Sequence, residues 1–144
     1  MTRDPLITLI KVRRLASDEA QRQLVNALNE ESRAERIVQE TERVMAQEME
    51  TASDPNSSDA VVEAFGAWLG GARRQLETAR RMLLDRQAET IRVRAELTAT
   101  RTALESVEAL QEQRRQGAQR AQDQRLQREL EDRPAPEREP EEMS

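Results

Sequence analysis

The sequence contains no cysteine and no histidine. Disulfides, thiolate nucleophiles, imidazole acid–base chemistry and the usual zinc sites are therefore excluded. Aromatic residues are nearly absent as well: one Phe, one Trp and no Tyr make up 1% of 144 residues, while charged residues make up 35% and the mean hydropathy is -0.89. A globular core cannot be built from such a chain. Long hydrophobic runs are also missing. The N-terminal apolar stretch Leu6 to Ile10 is cut off at Lys11, Arg13 and Arg14, too short for a signal peptide and far too short to span a bilayer. The chain thus reads as cytoplasmic and soluble. Its net charge of -5 argues against general affinity for nucleic acid, although a local basic patch can still contact phosphates.

What the chain does have is Ala, Leu, Glu, Arg and Gln, strong helix formers whose dominance marks a long helix or coiled coil. Disorder is the alternative for so polar a composition. A heptad seam argues against it. Following Val62, the positions Phe65, Leu69, Ala72, Leu76, Ala79, Leu83, Val93, Leu97, Leu104 and Val107 keep a three-four rhythm, interrupted by Arg86, Thr90 and Thr100. Such a seam requires a partner helix.

The partner is expected within the same chain. Asp4 followed by Pro5 suits a helix start, since the carboxylate can cap free N–H groups and proline lacks the N–H that the first position wastes. Helix 1 is predicted over about 5–51, with an inward stripe of Leu6, Ile10, Ala20, Leu24, Ala27, Ala34, Val38 and Met45, into which Arg13, Ser17, Glu31 and Thr41 intrude. The segment 52–59 holds the densest turn chemistry, with Pro55 at its centre, and is predicted as the hairpin loop. Ser57 or Ser58 then caps helix 2, with Asp59 well placed against its dipole. Helix 2 is predicted over about 60–132, because Pro134 and Pro136 disfavour helix before them. Residues 133–144 read as an acidic, disordered tail.

The fold class expected is all-α: an antiparallel two-helix coiled-coil hairpin with a longer second helix. At about 1.5 Å per residue the helices would be roughly 70 and 110 Å long, leaving an overhang of about 40 Å beyond residue 106 or so. The overhang, from Gln111 to Leu130, is rich in Gln and Arg and contains Gly117, which costs about 1 kcal/mol relative to alanine. Without a partner it is expected to fray. Buried seam leucines contribute about 1.5 to 3 kcal/mol each before ordering entropy, so the hairpin is modestly stable. Surface pairs such as Asp18 with Arg22 and Glu77 with Arg81 add a few tenths each. A parallel homodimer through helix 2 is the competing assembly, and the alanine-rich stripe of helix 1 favours the monomeric hairpin.

The two ends of this rod differ in charge. Between Val44 and Ala72 there are five acids, Glu48, Glu50, Asp54, Asp59 and Glu63, and no base. At the open end Arg3, Lys11, Arg13 and Arg14 lie beside Arg114, Arg115, Arg120, Arg125 and Arg128, against Glu112 and Asp123. Any single charge can be an ordinary solvated residue. Segregation by end implies partners of opposite sign. Phe65 and Trp68 lie among Gly66, Gly70 and Gly71, Phe65 on the seam and Trp68 beside it, where a tryptophan can anchor a partner. The glycines weaken the helix there, either because helix 1 approaches closely or because the patch adapts to a partner. No nucleophile, base and orienting group occur together, so the chain is read as non-enzymatic and without a cofactor.

Three features together resemble the FliJ/YscO family of type III export stalk proteins. They are the Pro5-Leu-x2-Leu-Ile-x-Val-Arg-Arg segment with Glu19-Ala20 and Leu24 following, the Phe65-x3-Leu69-x2-Ala72-x3-Leu76 stretch, and the Gln/Arg-rich end of helix 2. The resemblance implies an antiparallel stalk that acts on the hexameric export ATPase as a central shaft acts on its ring. It further implies binding to the cytosolic domain of the export gate and to export chaperones, at the cytoplasmic face of the flagellar basal body. Family gate contacts follow a Phe-x3-Leu-x2-Ala pattern, which falls on Phe65, Leu69 and Ala72. Leu76 takes the next position, where some members are polar, and Trp68 is added from the same turn. Helix 1 contacts of the family are often aromatic, and this helix 1 has none to match. A basic tip suits a ring channel lined by acids, so Lys11, Arg13, Arg14, Arg114 and Arg115 are the expected ring contacts. A coiled-coil scaffold or dimerisation protein unrelated to secretion is the alternative. A nucleic-acid binder using the overhang is disfavoured by the absence of stacking aromatics.

Overall fold

A computed structural model describes residues 4–134. Two helices account for nearly all of them: α1, Pro5–Ser53, and α2, Asp59–Asp132. The acidic tail expected over 133–144 lies outside the described residues from 135 onward.

Both helix starts are capped as their sequences dictate. Asp4 Oδ1 accepts from the Leu6 N–H at 3.0 Å, and Pro5 occupies the first helical position. For α2 it is Ser58, rather than Ser57, whose side chain accepts from the Val61 N–H at 3.4 Å, and Asp59 stands in the first turn. The loop is shorter than the predicted 52–59, because α1 keeps its last turn through Ser53. Thr51 Oγ1 donates to the Gln47 carbonyl at 3.1 Å, and Ser57 Oγ donates to the Thr51 carbonyl across the bend. Pro55 then occupies the second position of a turn closed by the Ser57 N–H on the Asp54 carbonyl at 3.0 Å, while Asp54 Oδ1 accepts from the Asn56 N–H at 2.9 Å. Asp before Pro is favourable turn chemistry. It reverses the chain within five residues, 54–58.

The helices pack antiparallel along a narrow seam of small residues. Ala20, Ala27, Ala34 and Val38 of α1 and Ala72, Ala79, Val93 and Leu97 of α2 are buried, with Leu6 and Ile10 at the open end. Leu24, Met45, Leu69, Leu76, Leu83, Leu104 and Val107 are half-buried, which follows the expected three-four rhythm closely. Among the described residues no side chain is wholly removed from solvent, as two helices alone cannot surround a residue. The interruptions are absorbed in different ways. Ser17 and Thr90 are buried, and Thr90 Oγ1 donates to the Arg86 carbonyl at 3.0 Å within its own helix. Arg86 leaves the seam and reaches Glu30 at 3.9 Å. Arg13 is exposed.

Three ion pairs cross between the helices: Arg14 with Glu108 at 3.8 Å, Glu30 with Arg86 at 3.9 Å and Glu42 with Arg80 at 3.1 Å. Partner numbers fall as α1 numbers rise, which is the antiparallel register. All six side chains are well exposed, so each pair contributes at most about 1 kcal/mol. Within helices, Glu77 pairs with Arg81 at 3.5 Å as expected. Arg22 instead chooses Glu19, which accepts from Nε and Nη2 at 3.1 and 3.0 Å, because the forked guanidinium makes two bonds to it. The expected Asp18 pair is not formed.

From Ala109 to Asp132 every residue of α2 is exposed. The helix nevertheless continues to Asp132. Only neighbours three or four residues away bond to one another there: Arg115 with Glu112, Gln119 with Asp123, Gln127 with Glu131. Such pairs are each worth about 0.2–0.5 kcal/mol, and among the described residues this segment has no other support. Its amides are expected to exchange with solvent far faster than those of 17–38 and 72–97. Leu97→Ala is expected to cost about 2 kcal/mol, the low end for a core leucine, while Leu126→Ala leaves urea unfolding unchanged. Equal destabilisation by both would mean that the overhang is packed.

Candidate functional site

The chain offers surfaces rather than a cavity. No cluster of potential metal ligands occurs among the described residues, and no described helix is long and apolar enough to cross a membrane. The two ends of the hairpin carry the distinctive side chains.

At the loop end, the turn brings the last residues of α1 beside the first of α2. A groove of about 350 Å³ opens between Glu48, Thr51 and Ala52 on one side and Val61, Ala64, Phe65 and Trp68 on the other. The Phe65 and Trp68 rings lie 5.9 Å apart at a tilt of 36°. This separation is within the favourable range for an aromatic pair. Trp68 is 38% exposed, whereas Phe65 is half-buried. The remaining candidates of this stretch sit deeper: Leu69 and Leu76 are half-buried in the seam and Ala72 is buried. Of the candidates in this stretch, Trp68 is the most accessible to a partner. Met49, Val61 and Val62 are exposed around them, an apolar rim that lies outside the buried seam. Glu48, Glu50, Asp54, Asp59 and Glu63 are all exposed beside it, so the patch is at once apolar and anionic.

The glycines do not mark a close approach. A methyl group added at Gly66 would meet nothing within 4 Å, and at Gly70 or Gly71 it would meet only the flexible end of Arg74. None has a positive φ. Of the two explanations that the sequence allowed, helix 1 pressing close is excluded by this geometry.

At the open end, Lys11, Arg13, Arg14, Arg114 and Arg115 are all exposed, but two of them are engaged. Arg14 faces Glu108 across the helices, and Arg115 holds Glu112 at 2.7 Å. Lys11, Arg13 and Arg114 make no ion pair among the described residues. The hydrogen bond from Arg115, opposed by some desolvation, keeps the Glu112 carboxyl below its ordinary value, and the same bond raises Arg115. Between these cations stand Ile7, Leu9, Val12 and Leu15, from 39% to 66% exposed. The sequence signal for them is that apolar residues in 6–15 fall on more than one helical face. One face is covered by α2, and the rest faces solvent.

Comparison with protein-family models, curated proteins and solved structures finds no match. Geometry alone therefore defines the class: an all-α two-helix hairpin with an anionic, aromatic loop end and a cationic open end extended by a bare helix.

The glycine geometry makes a direct test. Gly66→Ala and Gly117→Ala are each expected to stabilise their helix by about 0.5–1 kcal/mol, since no atom obstructs the added methyl. Loss of stability in thermal unfolding at either site would reveal a contact that the hairpin lacks.

Proposed function

We propose that the protein is a non-enzymatic stalk and adaptor of the flagellar type III export apparatus. Its open end enters the hexameric export ATPase, and its loop end contacts the cytosolic domain of the export gate, with export chaperones as further partners. The observation that carries this reading is the division of α2 at Glu108. Before it the helix is covered by α1, and after it 24 residues project uncovered, from Ala109 to Asp132. A slim helical projection with cations at its root suits a narrow channel lined by acidic groups. At the other end Trp68 and Phe65 offer an aromatic anchor for the gate, with Leu69, Ala72 and Leu76 supporting them from the seam. The work of such a protein is mechanical and connective, and it takes place at the cytoplasmic face of the basal body.

A coiled-coil scaffold outside secretion is the second reading. It is favoured by aliphatic side chains exposed well away from either end, such as Ile37, Leu84 and Ile91. A pull-down with a purified export ATPase separates the two readings. Reversing the three unengaged cations, Lys11, Arg13 and Arg114, to Glu is expected to weaken ring binding at least about tenfold, or about 1.4 kcal/mol. ATPase stimulation should fall in parallel. Ring binding and stimulation that survive the triple reversal would overturn the assignment of the open end.

A further inference from the structure

The acidic and basic segments of this chain are held apart by its own helix. Between Val44 and Ala72 there are five exposed acids and no base, and between Gln113 and Arg128 there are five exposed arginines and one acid, Asp123, with Glu112 before this stretch and Glu129, Glu131 and Asp132 after it. Both segments include part of α2, which is continuous from one to the other. Residues 63 and 120 are separated by about 85 Å of helix, so no chain can pair its own ends. A second copy can pair them.

Two copies lying side by side and antiparallel place each loop end against the other's overhang. Both contacts then form within one closed two-fold pair, and the second is intramolecular once the first is made. A head-to-tail arrangement satisfies only one contact per junction and leaves its ends open. Setting Asp59 against Arg125 of the other copy, and Glu63 against Arg120, fixes the two-fold axis at about residue 92 of α2.

The middle of the rod holds an independent observation at that place. Ile91 is 69% exposed, the most exposed large hydrophobic among the described residues. Leu84, one heptad earlier and so on the same face, is 65% exposed. Ile91 and Leu28 border an open groove between the helices, with Glu31 and Glu35 of α1 and Arg94 of α2 around it. Nothing in the hairpin covers Ile91. An axis located from charges at the two ends thus falls on an uncovered aliphatic side chain at the centre.

We propose that the protein forms an antiparallel two-fold dimer, loop end against overhang, with Ile91 of each copy meeting at the axis. The proposal goes beyond the export reading and does not depend on it. The overhang, which no described residue covers, is covered by the second copy. The contacts are largely electrostatic and exposed, so the dimer is salt-sensitive.

Sedimentation of the full chain tests this, with the dissociation constant expected to rise at least about tenfold from low to high ionic strength. Asp59→Arg with Glu63→Arg, or Arg120→Glu with Arg125→Glu, each produces a monomer, and a chain carrying all four changes dimerises again. That recovery separates charge pairing from a folding defect. Ile91→Lys weakens the dimer at least about tenfold without lowering the melting temperature, because the side chain is exposed in the hairpin. Since the chain has no cysteine, orientation can be read from single replacements. Chains with Ala64→Cys and Gln119→Cys cross-link to each other on mild oxidation, and neither cross-links to itself. The proposal is overturned by a chain that is monomeric at every ionic strength, by a dimer indifferent to salt or to the charge reversals, or by self-cross-linking of either single-cysteine chain, the mark of a parallel pair.

Discussion

The rest of the structure depends on one constraint: a helix face is covered only where another helix lies against it. In the described residues the contact between α1 and α2 is the sole tertiary contact between elements. Its seam is thin, built from alanine, valine and a few leucines, and leaves every side chain some access to water. Small residues allow the helix backbones to approach, but they remove little apolar area, at about 25 cal/mol per Å². The molecule therefore relies on local terms to an unusual degree. Asp4 and Ser58 caps, the Asp54–Pro55 turn and many pairs at three- and four-residue spacing support the helices, and the seam aligns them.

Unequal helix lengths turn that constraint into an asymmetry. With α1 at 49 residues and α2 at 74, the fold has a tertiary part and a part that is secondary structure alone. The boundary at Glu108 is also where ion pairs across the seam end, and beyond it arginines and acids pair only with neighbours on their own helix. Among the described residues such a surface has no counterpart across a seam, and its low intrinsic support leaves it free to take its order from whatever binds it. The loop end differs in physical kind. It is closed by a tight turn, carries only negative charge, and gathers both aromatic rings of the chain beside three glycines that no packing contact requires.

The two proposals use the same surfaces at different scales. As an export stalk, the protein would present the open end to a ring and the loop end to a gate. As an antiparallel pair, it would hold its own opposite charges together and occupy both surfaces. A chain engaged with a second copy is then withheld from other partners, so salt and concentration would govern which contacts are made.

Much of this was legible in the sequence because the relevant signals are local or periodic. Helix starts, the turn at Pro55 and the α2 seam follow from caps, proline geometry and the three-four spacing, all of which operate within a few residues. The separation of charge between ends required only the knowledge that the chain folds back once. What the sequence left open depends on contacts between stretches far apart in the chain. Register decides that Arg14 meets Glu108 and is partly spent, whereas Arg13, one residue earlier, faces solvent. It decides that Ser17 and Thr90 are tolerated inside the seam while Arg86 turns out of it to Glu30. The empty space around Gly66 and the exposure of Ile7, Val12, Leu15 and Ile91 likewise became visible only with both helices in place. A residue's own helix determines the direction in which it points, but only the partner helix determines whether anything is there.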